Sequence, residues 1–397
     1  MAVETLPPPR TYVGPLAWSR QNLFGSLPSA IVTLLMVVAL GWLSLTVANW
    51  AVTQAQWQVI FNNLRLFLIG QYPADQAWRL WLDLALISLL SGASGAVFGG
   101  TTRALAVALS AMQLLLAVLS LIATLGELLP AGLFVNALVV WGAYVAAARL
   151  RPPRRPLVIG WIASIPVSYL LIAGIGAGPL PSTQAGQWGG LLLTVLLAVV
   201  GILLSFPLGV LLALGRRSSL PTARVLSTAY IELIRGVPLV TILFMADIML
   251  PLLLPGEFRI DRVARAMGGI TLFSAAYVAE NVRGGLQAIP TGQVEAAHAL
   301  GLNTVQTNLF IVLPQALRSV IPANVGLFIS LLKDTTLVTI IGLFELLGIG
   351  RAILAQPESL GAHLEVYVFI AAVFFVLCYA MSQASYRLET AMGLGTR

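Results

Sequence analysis

Long apolar segments dominate this chain and restrict it to one class of protein. Hydrophobic residues make up 58% of its 397 residues and charged residues only 9%, whereas charged residues account for about 25% of a soluble globular protein. Because about 20 apolar residues cross a bilayer core as a helix, the pattern predicts an all-α integral membrane protein with eight to ten transmembrane helices. The candidate spans are residues 28–48, 84–102, 104–125, 131–149, 157–177, 189–214, 237–255, 266–286, 318–343 and 365–386.

The basic residues indicate how these spans are oriented, because cytoplasmic loops carry an excess of positive charge. With both termini in the cytoplasm, 15 of the 22 basic residues lie on the inner side. We therefore predict that both termini are cytoplasmic. The inner set is Arg10, Arg20, Arg103, Arg149, Arg151, Arg154, Arg155, Arg216, Arg217, Arg224, Arg235, Arg283, Arg318, Arg387 and Arg397.

The sequence lacks the residues that a metal site, an intrachain disulfide or a nucleotide-binding site needs. Cys378 is the sole cysteine, and His298 and His363 have no spacing typical of a metal site. Lys333 is the sole lysine, and no glycine-rich phosphate loop precedes it. We therefore expect no metal, no cofactor and no catalytic site in this chain, and no nucleic-acid partner.

A polar stretch between apolar segments, residues 287–317, has the pattern of a docking loop. Pro290 is typical of the start of a short helix, and Gly301 is typical of its end. Within this helix, Ala296 and Ala297 are expected to leave a bare face that another protein can approach closely.

A second short helix is predicted directly after the first. Asn303, followed three residues later by Gln306, is the pattern of an N-terminal cap. Pro314 is expected to terminate this second helix. Two short helices that present small residues together predict a surface for another protein.

The same stretch resembles the cytoplasmic EAA loop of ABC importer permeases, whose pattern is Glu-Ala-Ala, three residues, Gly, nine residues and Ile-x-Leu-Pro. The resemblance implies that the helix at residues 295–299 docks in a groove of a cytoplasmic ABC ATPase subunit, which itself binds ATP and Mg. The matching residues, implied to couple the two proteins, are Glu295, Ala296, Ala297, Gly301, Ile311, Leu313 and Pro314.

From about residue 187 onward the chain resembles the five-span core of polar amino-acid ABC permeases, the histidine, glutamine and arginine type. Its landmarks are residues 230–239, 276–286, 313–318 and 332–337. The first half is similar to the extension of the larger permease subunits of general, neutral and acidic amino-acid importers. The implied domains are a cytoplasmic lead at 1–27, a transmembrane extension at 28–180, and a type I importer permease core at 187–390 with the coupling loop 287–317.

This resemblance implies a permease subunit of the bacterial inner membrane that translocates amino acids, driven by ATP hydrolysis on a separate subunit. The implied partners are two ATPase subunits, a second permease that is either a copy or a different chain, a periplasmic amino-acid-binding protein and membrane lipid. The alternative is an ion-driven secondary transporter, which is expected to show an inverted repeat. No convincing repeat is present in the sequence.

Charged residues within the spans are candidates for the substrate path, because a charge at the centre of a span costs about 2.5 to 3.5 kcal/mol on insertion scales. A zwitterionic amino acid offers both an ammonium group and a carboxylate to such residues. The alternative is that they hold helices together through ion pairs and hydrogen bonds, as Glu280 would with Arg283 three residues along the same helix. The candidates are Glu280, Lys333, Asp334, Thr335 and Thr336.

Overall fold

The computed structural model describes residues 14–122, 128–176, 178, 180–253, 255 and 260–393. Helices account for nearly all of this part of the chain, and its extended pairing is limited to isolated bridges, Gly70 with Trp188 and Gly190 with Glu345. The all-α prediction is confirmed. Two compact units are present, one up to Trp57 and one from Gln58 onward.

The first unit consists of two helices, α1 (Pro15–Asn22) and α2 (Leu27–Thr53). Ser26 caps α2, since its hydroxyl accepts a hydrogen bond from the backbone N–H of Ser29 at 3.3 Å. No residue of α2 is buried within the protein, although the helix is almost entirely apolar. A helix that is apolar on all sides and unburied is solvated by lipid, which makes α2 a membrane span.

The second unit begins with two short helices, α3 (Gln58–Asn62) and α4 (Leu64–Ile69). They form an ordered cap that packs on the C-terminal helices described below. Phe67 is fully buried, and its ring lies 4.9 Å from that of Phe369 in an edge-to-face contact. Tyr72 is fully buried too, and its hydroxyl donates to the carbonyl of Ile172 at 2.9 Å.

Four long helices follow the cap: α5 (Trp78–Phe98), α6 (Gly100–Ile122), α7 (Leu128–Leu150) and α8 (Arg154–Ala173). The central helix is α5, which packs against the other three. Gly92 lets α5 approach α7 closely, because a methyl group at this position would collide with the backbone carbonyl of Val140. Small residues at helix contacts are typical of membrane bundles, where packing replaces the hydrophobic effect.

The C-terminal helices surround one buried helix, α13 (Arg262–Gln287). That helix packs against α9 (Gly190–Arg216), α10 (Pro221–Arg235), α11 (Leu239–Phe244) and α16 (Leu313–Asp334). Gly209 of α9 lies against Val278, with no room for a methyl group between them. The elements are α9 (Gly190–Arg216), α10 (Pro221–Arg235), α11 (Leu239–Phe244), a π-helical segment (Met245–Met249), α12 (Leu250–Leu253), α13 (Arg262–Gln287), α14 (Thr291–Ala299), α15 (Thr304–Gln306), a π-helical segment (Thr307–Val312), α16 (Leu313–Asp334), a 3₁₀ segment (Thr335–Ile341), α17 (Leu346–Leu354) and α18 (His363–Ala391).

Among the described residues, eight helices are long and apolar enough to cross a membrane, or nine if one bent pair counts as a span. The predicted range of eight to ten is confirmed. The predicted span at 237–255 corresponds to the helical stretch Leu239–Leu253, which is long enough to count as a span only together with Pro221–Arg235, and the chain bends by 107° between the two. Pro238 lies at this bend, where it lacks an amide hydrogen and disfavours helical backbone at Val237.

The predicted span at 266–286 lies within α13, which is less apolar than the eight helices counted above and is not one of them. Its charged side chains explain this, since Arg265 pairs with Asp247 on the neighbouring π-helical segment and Glu280 pairs with arginines of α9 and α10. A helix at the centre of a bundle can carry such charges because its neighbours neutralise them.

Candidate functional site

The coupling loop begins with α14, whose exposed face carries two of the predicted residues. Pro290 precedes the helix as its cap, as predicted. Glu295 and Ala296 are exposed. Ala297 is only 3% exposed, and α14 packs on the segment Thr307–Val312. The expected bare face of two alanines is therefore wrong for Ala297, which faces the rest of its own loop.

Gly301 ends α14 through a regular helix-terminating motif. Its backbone φ is +82°, in the left-handed region that favours glycine. The N–H of Gly301 donates to the carbonyl of His298 at 2.9 Å, and the N–H of Leu302 donates to that of Ala297 at 3.1 Å. This pair of bonds is the Schellman motif, which fixes the direction in which the chain leaves α14.

The second part of the loop begins as predicted and ends differently. Asn303 and Gln306 form a reciprocal capping box, with bonds of 2.9 and 3.0 Å between each side chain and the other residue's backbone N–H. Pro314 does not terminate this helix, because the helical path continues from Thr304 to Ile341. In the π-helical segment Thr307–Val312 the backbone hydrogen bonds are shifted by one residue relative to an α-helix. Such a segment just before Pro314 accommodates the backbone N–H that proline lacks.

Large apolar side chains of the same loop are left uncovered by the rest of the described chain. Leu300 is 82% exposed, Val305 65% and Phe310 67%. Ile311 and Leu313 are partly buried and Pro314 is exposed. Such an apolar group on a polar loop is typical of a protein contact surface. We call the exposed residues Glu295, Ala296, Leu300, Val305 and Phe310 the docking surface.

A second constellation, the Glu280 cluster, joins three helices through charge. Glu280 of α13 accepts hydrogen bonds from Arg283, and its carboxylate lies 3.5 Å from Arg216 of α9 and 3.6 Å from Arg235 of α10. Arg216 also pairs with Glu232 at 2.9 Å. The cluster thus holds three cations and two carboxylates.

Glu280 makes the contacts between helices that one of its two interpretations predicted. Arg216 and Arg235 were not predicted as its partners, because they lie on other helices and no sequence spacing connects them to Glu280. The expected pair with Arg283 is present. Contact of Glu280 with substrate stays a prediction.

The remaining candidates for the substrate path lie at the C-terminal end of α16. Lys333 is exposed and Asp334 half-buried. The Thr335 hydroxyl is buried and donates to the carbonyl of Leu332, and that of Thr336 donates to the carbonyl of Lys333, each at 2.7 Å. Both hydroxyls therefore use their donors on their own helix.

Glu280 and Lys333 do not form one group. Asn281, next to Glu280, donates to Asn324 of α16 at 3.0 Å. Lys333 follows nine residues later, which is about 14 Å along a helix at 1.5 Å per residue. Any substrate path that uses both residues passes them one after the other.

Glu345 is a buried carboxylate with a structural role. It is fully buried, and its oxygens accept hydrogen bonds from the N–H groups of Leu347 and Gly348 and the hydroxyl of Thr339, at 2.8 to 2.9 Å. The side chain thereby caps α17. Burial raises the pKa of the Glu345 carboxyl above its ordinary value of 4.5, although the amide hydrogen bonds oppose this.

Replacing Glu345 with glutamine is expected to change how stability depends on pH. Because the folded state holds the proton of Glu345 to a higher pH than the unfolded chain does, the free energy of unfolding falls as pH rises from 4.5 through the raised pKa. Between pH 4.5 and the raised pKa, the free energy of unfolding falls by about 1.4 kcal/mol per pH unit. The Glu345→Gln variant is expected to show no such fall. Thermal unfolding in detergent between pH 4.5 and 8 measures this. Parallel profiles for the two proteins would contradict the assignment.

The chain is similar to known transport proteins. A family described as "Binding-protein-dependent transport system inner membrane component" matches residues 205–391. The inner membrane amino-acid ABC transporter permease protein YhdY of Escherichia coli K12 is 38% identical over 395 residues, which cover 96% of this chain and 94% of the relative. The glutamate/glutamine/aspartate/asparagine transport system permease protein BztC of Rhodobacter capsulatus is 36% identical over 427 residues, covering 96% and 95%.

Shorter relatives match about half of the chain. The probable glutamine ABC transporter permease protein GlnP of Bacillus subtilis is 37% identical over 202 residues, which are 51% of this chain and 91% of the relative. A crystal structure of an amino acid ABC transporter with histidines covers 51% of this chain and 92% of its own, with 30% identity and a TM-score of 0.46. Since two relatives match almost end to end, this chain belongs to the family of amino-acid ABC transporter permeases.

Proposed function

We propose that this permease is coupled to a cytoplasmic ABC ATPase through the docking surface on α14, with both termini of the chain in the cytoplasm. A second permease, identical or different, completes the membrane pathway. A periplasmic binding protein delivers the amino acid. ATP and Mg are bound by the ATPase subunits, and this chain performs no catalysis.

The observation that carries the proposal is the exposure of the docking surface. Leu300, Val305 and Phe310 are more than half exposed on a loop that also carries the exposed carboxylate of Glu295. Leaving three large apolar side chains in water is unfavourable, whereas a partner groove that covers them recovers this free energy. The Schellman motif at Gly301 fixes the C-terminal end of α14, and we expect this helix to transmit force as a unit.

We propose acidic amino acids and their amides as the substrate class. The support is the relative whose name specifies glutamate, glutamine, aspartate and asparagine, which is similar along nearly the whole chain. Exposed Lys333 and the arginines of the Glu280 cluster offer cations to a carboxylate-bearing substrate.

Co-purification tests the assembly most simply. The chain, carrying an affinity tag and isolated in mild detergent from its native host, is expected to bring down an ATPase subunit that mass spectrometry identifies by its nucleotide-binding sequence. A double variant, Leu300→Ser with Phe310→Ser, is expected to lose that subunit while the yield of the permease in the membrane stays the same. Repeated recovery of the chain alone, still able to transport, would contradict the proposal.

A further inference from the structure

Five arginines lie together at one end of the α5–α8 bundle. This end is formed by the turn from α5 to α6 and the turn from α7 to α8. Contacts across it confirm the proximity, because the Arg103 guanidinium lies 5.8 Å from the ring centroid of Tyr144 and that of Arg154 lies 5.9 Å from that of Phe98. We call this set the arginine patch: Arg103, Arg149, Arg151, Arg154 and Arg155, all of which are exposed.

The patch has no acidic counter-charge among the described residues. Between Asp83 and Glu232 the sequence holds one acidic residue, Glu127, which lies outside the described residues. The six ion pairs between Arg216 and Arg283 in the described part of the C-terminal helices involve no arginine of the patch. The five guanidinium groups therefore remain available to an external anion.

Two features go beyond the usual excess of basic residues in a cytoplasmic loop. Arg103 and Arg154 are held over aromatic rings, which restricts their side chains before any ligand arrives. Arg151 has a backbone φ of 48°, a left-handed position at the end of α7 where glycine is usual.

A shallow apolar groove lies between α6 and α7, beside Arg103. Its floor consists of Ala106 and Val140, which are 3% and 2% exposed. Its walls include Val107 and Trp141, which are 42% and 44% exposed. The indole N–H of Trp141 donates to the hydroxyl of Ser110 at 2.9 Å, which fixes the ring in place. Exposed apolar side chains beside an unpaired cation have the chemistry that suits a lipid acyl chain next to its anionic headgroup.

We propose that the arginine patch and this groove bind one anionic phospholipid, with the phosphate at Arg103, Arg151 and Arg154 and an acyl chain along Trp141. Helix ends in a membrane protein lie at the depth of the headgroups, and basic pockets there bind anionic lipid. The proposal does not depend on the ATPase coupling proposed above. It depends only on the bundle α5–α8.

Fluorescence quenching by brominated lipid tests this site. The full chain is reconstituted in phosphatidylcholine vesicles that contain brominated phosphatidylglycerol or, at the same mole fraction, brominated phosphatidylcholine. The signal of Trp141 is obtained by subtracting the Trp141→Phe variant. We expect apparent binding of phosphatidylglycerol to be at least about fivefold stronger than that of phosphatidylcholine, since each arginine near a surface contributes about 1 kcal/mol with anionic lipid.

Variants separate a specific site from general charge. Arg103→Gln and Arg151→Gly are each expected to weaken phosphatidylglycerol binding about fivefold, and Arg103→Lys, which keeps the charge, is expected to retain most of it. Arg151→Gly also relieves the left-handed backbone, so misfolding cannot explain its loss. Arg224→Gln, which removes an exposed arginine outside the patch, should change nothing. Equal quenching by the two lipids, or equal loss in Arg224→Gln and Arg103→Gln, would overturn the proposal.

Discussion

Replacing Gly301 with valine is expected to lower ATP-dependent amino-acid uptake by at least about tenfold while leaving membrane insertion intact. The reason is backbone strain and not space, because a side chain at Gly301 meets no atom within 4 Å but must adopt a φ of +82°. Left-handed backbone costs a non-glycine residue about 1 to 2 kcal/mol, and more when the side chain is β-branched. The Schellman motif is then lost, and the chain no longer leaves α14 in its proper direction.

Asparagine at the same position is the matched control for Gly301→Val. Asparagine tolerates left-handed backbone, so Gly301→Asn is expected to keep most of the uptake although it adds a side chain of similar size. Uptake is measured with radiolabelled glutamate in cells, and the amount of permease in the membrane is measured in parallel. Normal uptake by Gly301→Val, or the same loss in both variants, would show that the backbone of the loop does not govern coupling.

Replacing Glu280 with glutamine is expected to destabilise the core helices strongly. The change leaves Arg216, Arg235 and Arg283 close together with one carboxylate, that of Glu232, among them. Hydrogen bonds to charged groups contribute about 1.5 to 3 kcal/mol, so we expect the free energy of unfolding to fall by about 1 to 3 kcal/mol after discounting for partial exposure. Thermal unfolding of the purified permease in detergent measures this loss.

A second replacement distinguishes helix contact from substrate contact at Glu280. If the cluster stabilises the helices, adding Arg283→Gln to Glu280→Gln removes one unpaired cation and is expected to restore part of the lost stability. If Glu280 instead contacts the amino acid, the single variant changes the KM of uptake without a change in unfolding temperature, and Arg283→Gln restores nothing. A changed KM with an unchanged unfolding temperature would show that Glu280 contacts the substrate.

The ends of the short helices in the coupling loop could be predicted from the sequence, because each end depends on hydrogen bonds between residues close together in the chain. Gly301 ends α14, and Asn303 with Gln306 forms the capping box, because each feature depends on neighbours within three or four residues. The long membrane-spanning segments could be predicted equally well, since a bilayer requires a certain length and an apolar composition of every span.

The features that the sequence did not predict depend on distant neighbours. Pro314 reads as a terminator by itself, yet the π-helical segment before it removes the conflict. Ala297 is buried, and the later segment Thr307–Val312 packs on its helix, α14. Arg216 and Arg235 reach Glu280 from other helices. None of these contacts has a periodic signature within one segment.

Site-directed crosslinking from α14 tests the docking surface most directly. In a Cys378→Ala background, a photoreactive thiol reagent on Ala296→Cys is expected to form an adduct that mass spectrometry identifies as an ATP-binding subunit. The matched Ala297→Cys variant is expected to give little adduct, because Ala297 is only 3% exposed. If Ala296→Cys never captures such a subunit, or reacts only with reagents added from the periplasmic side, then α14 is not the contact with a cytoplasmic ATPase.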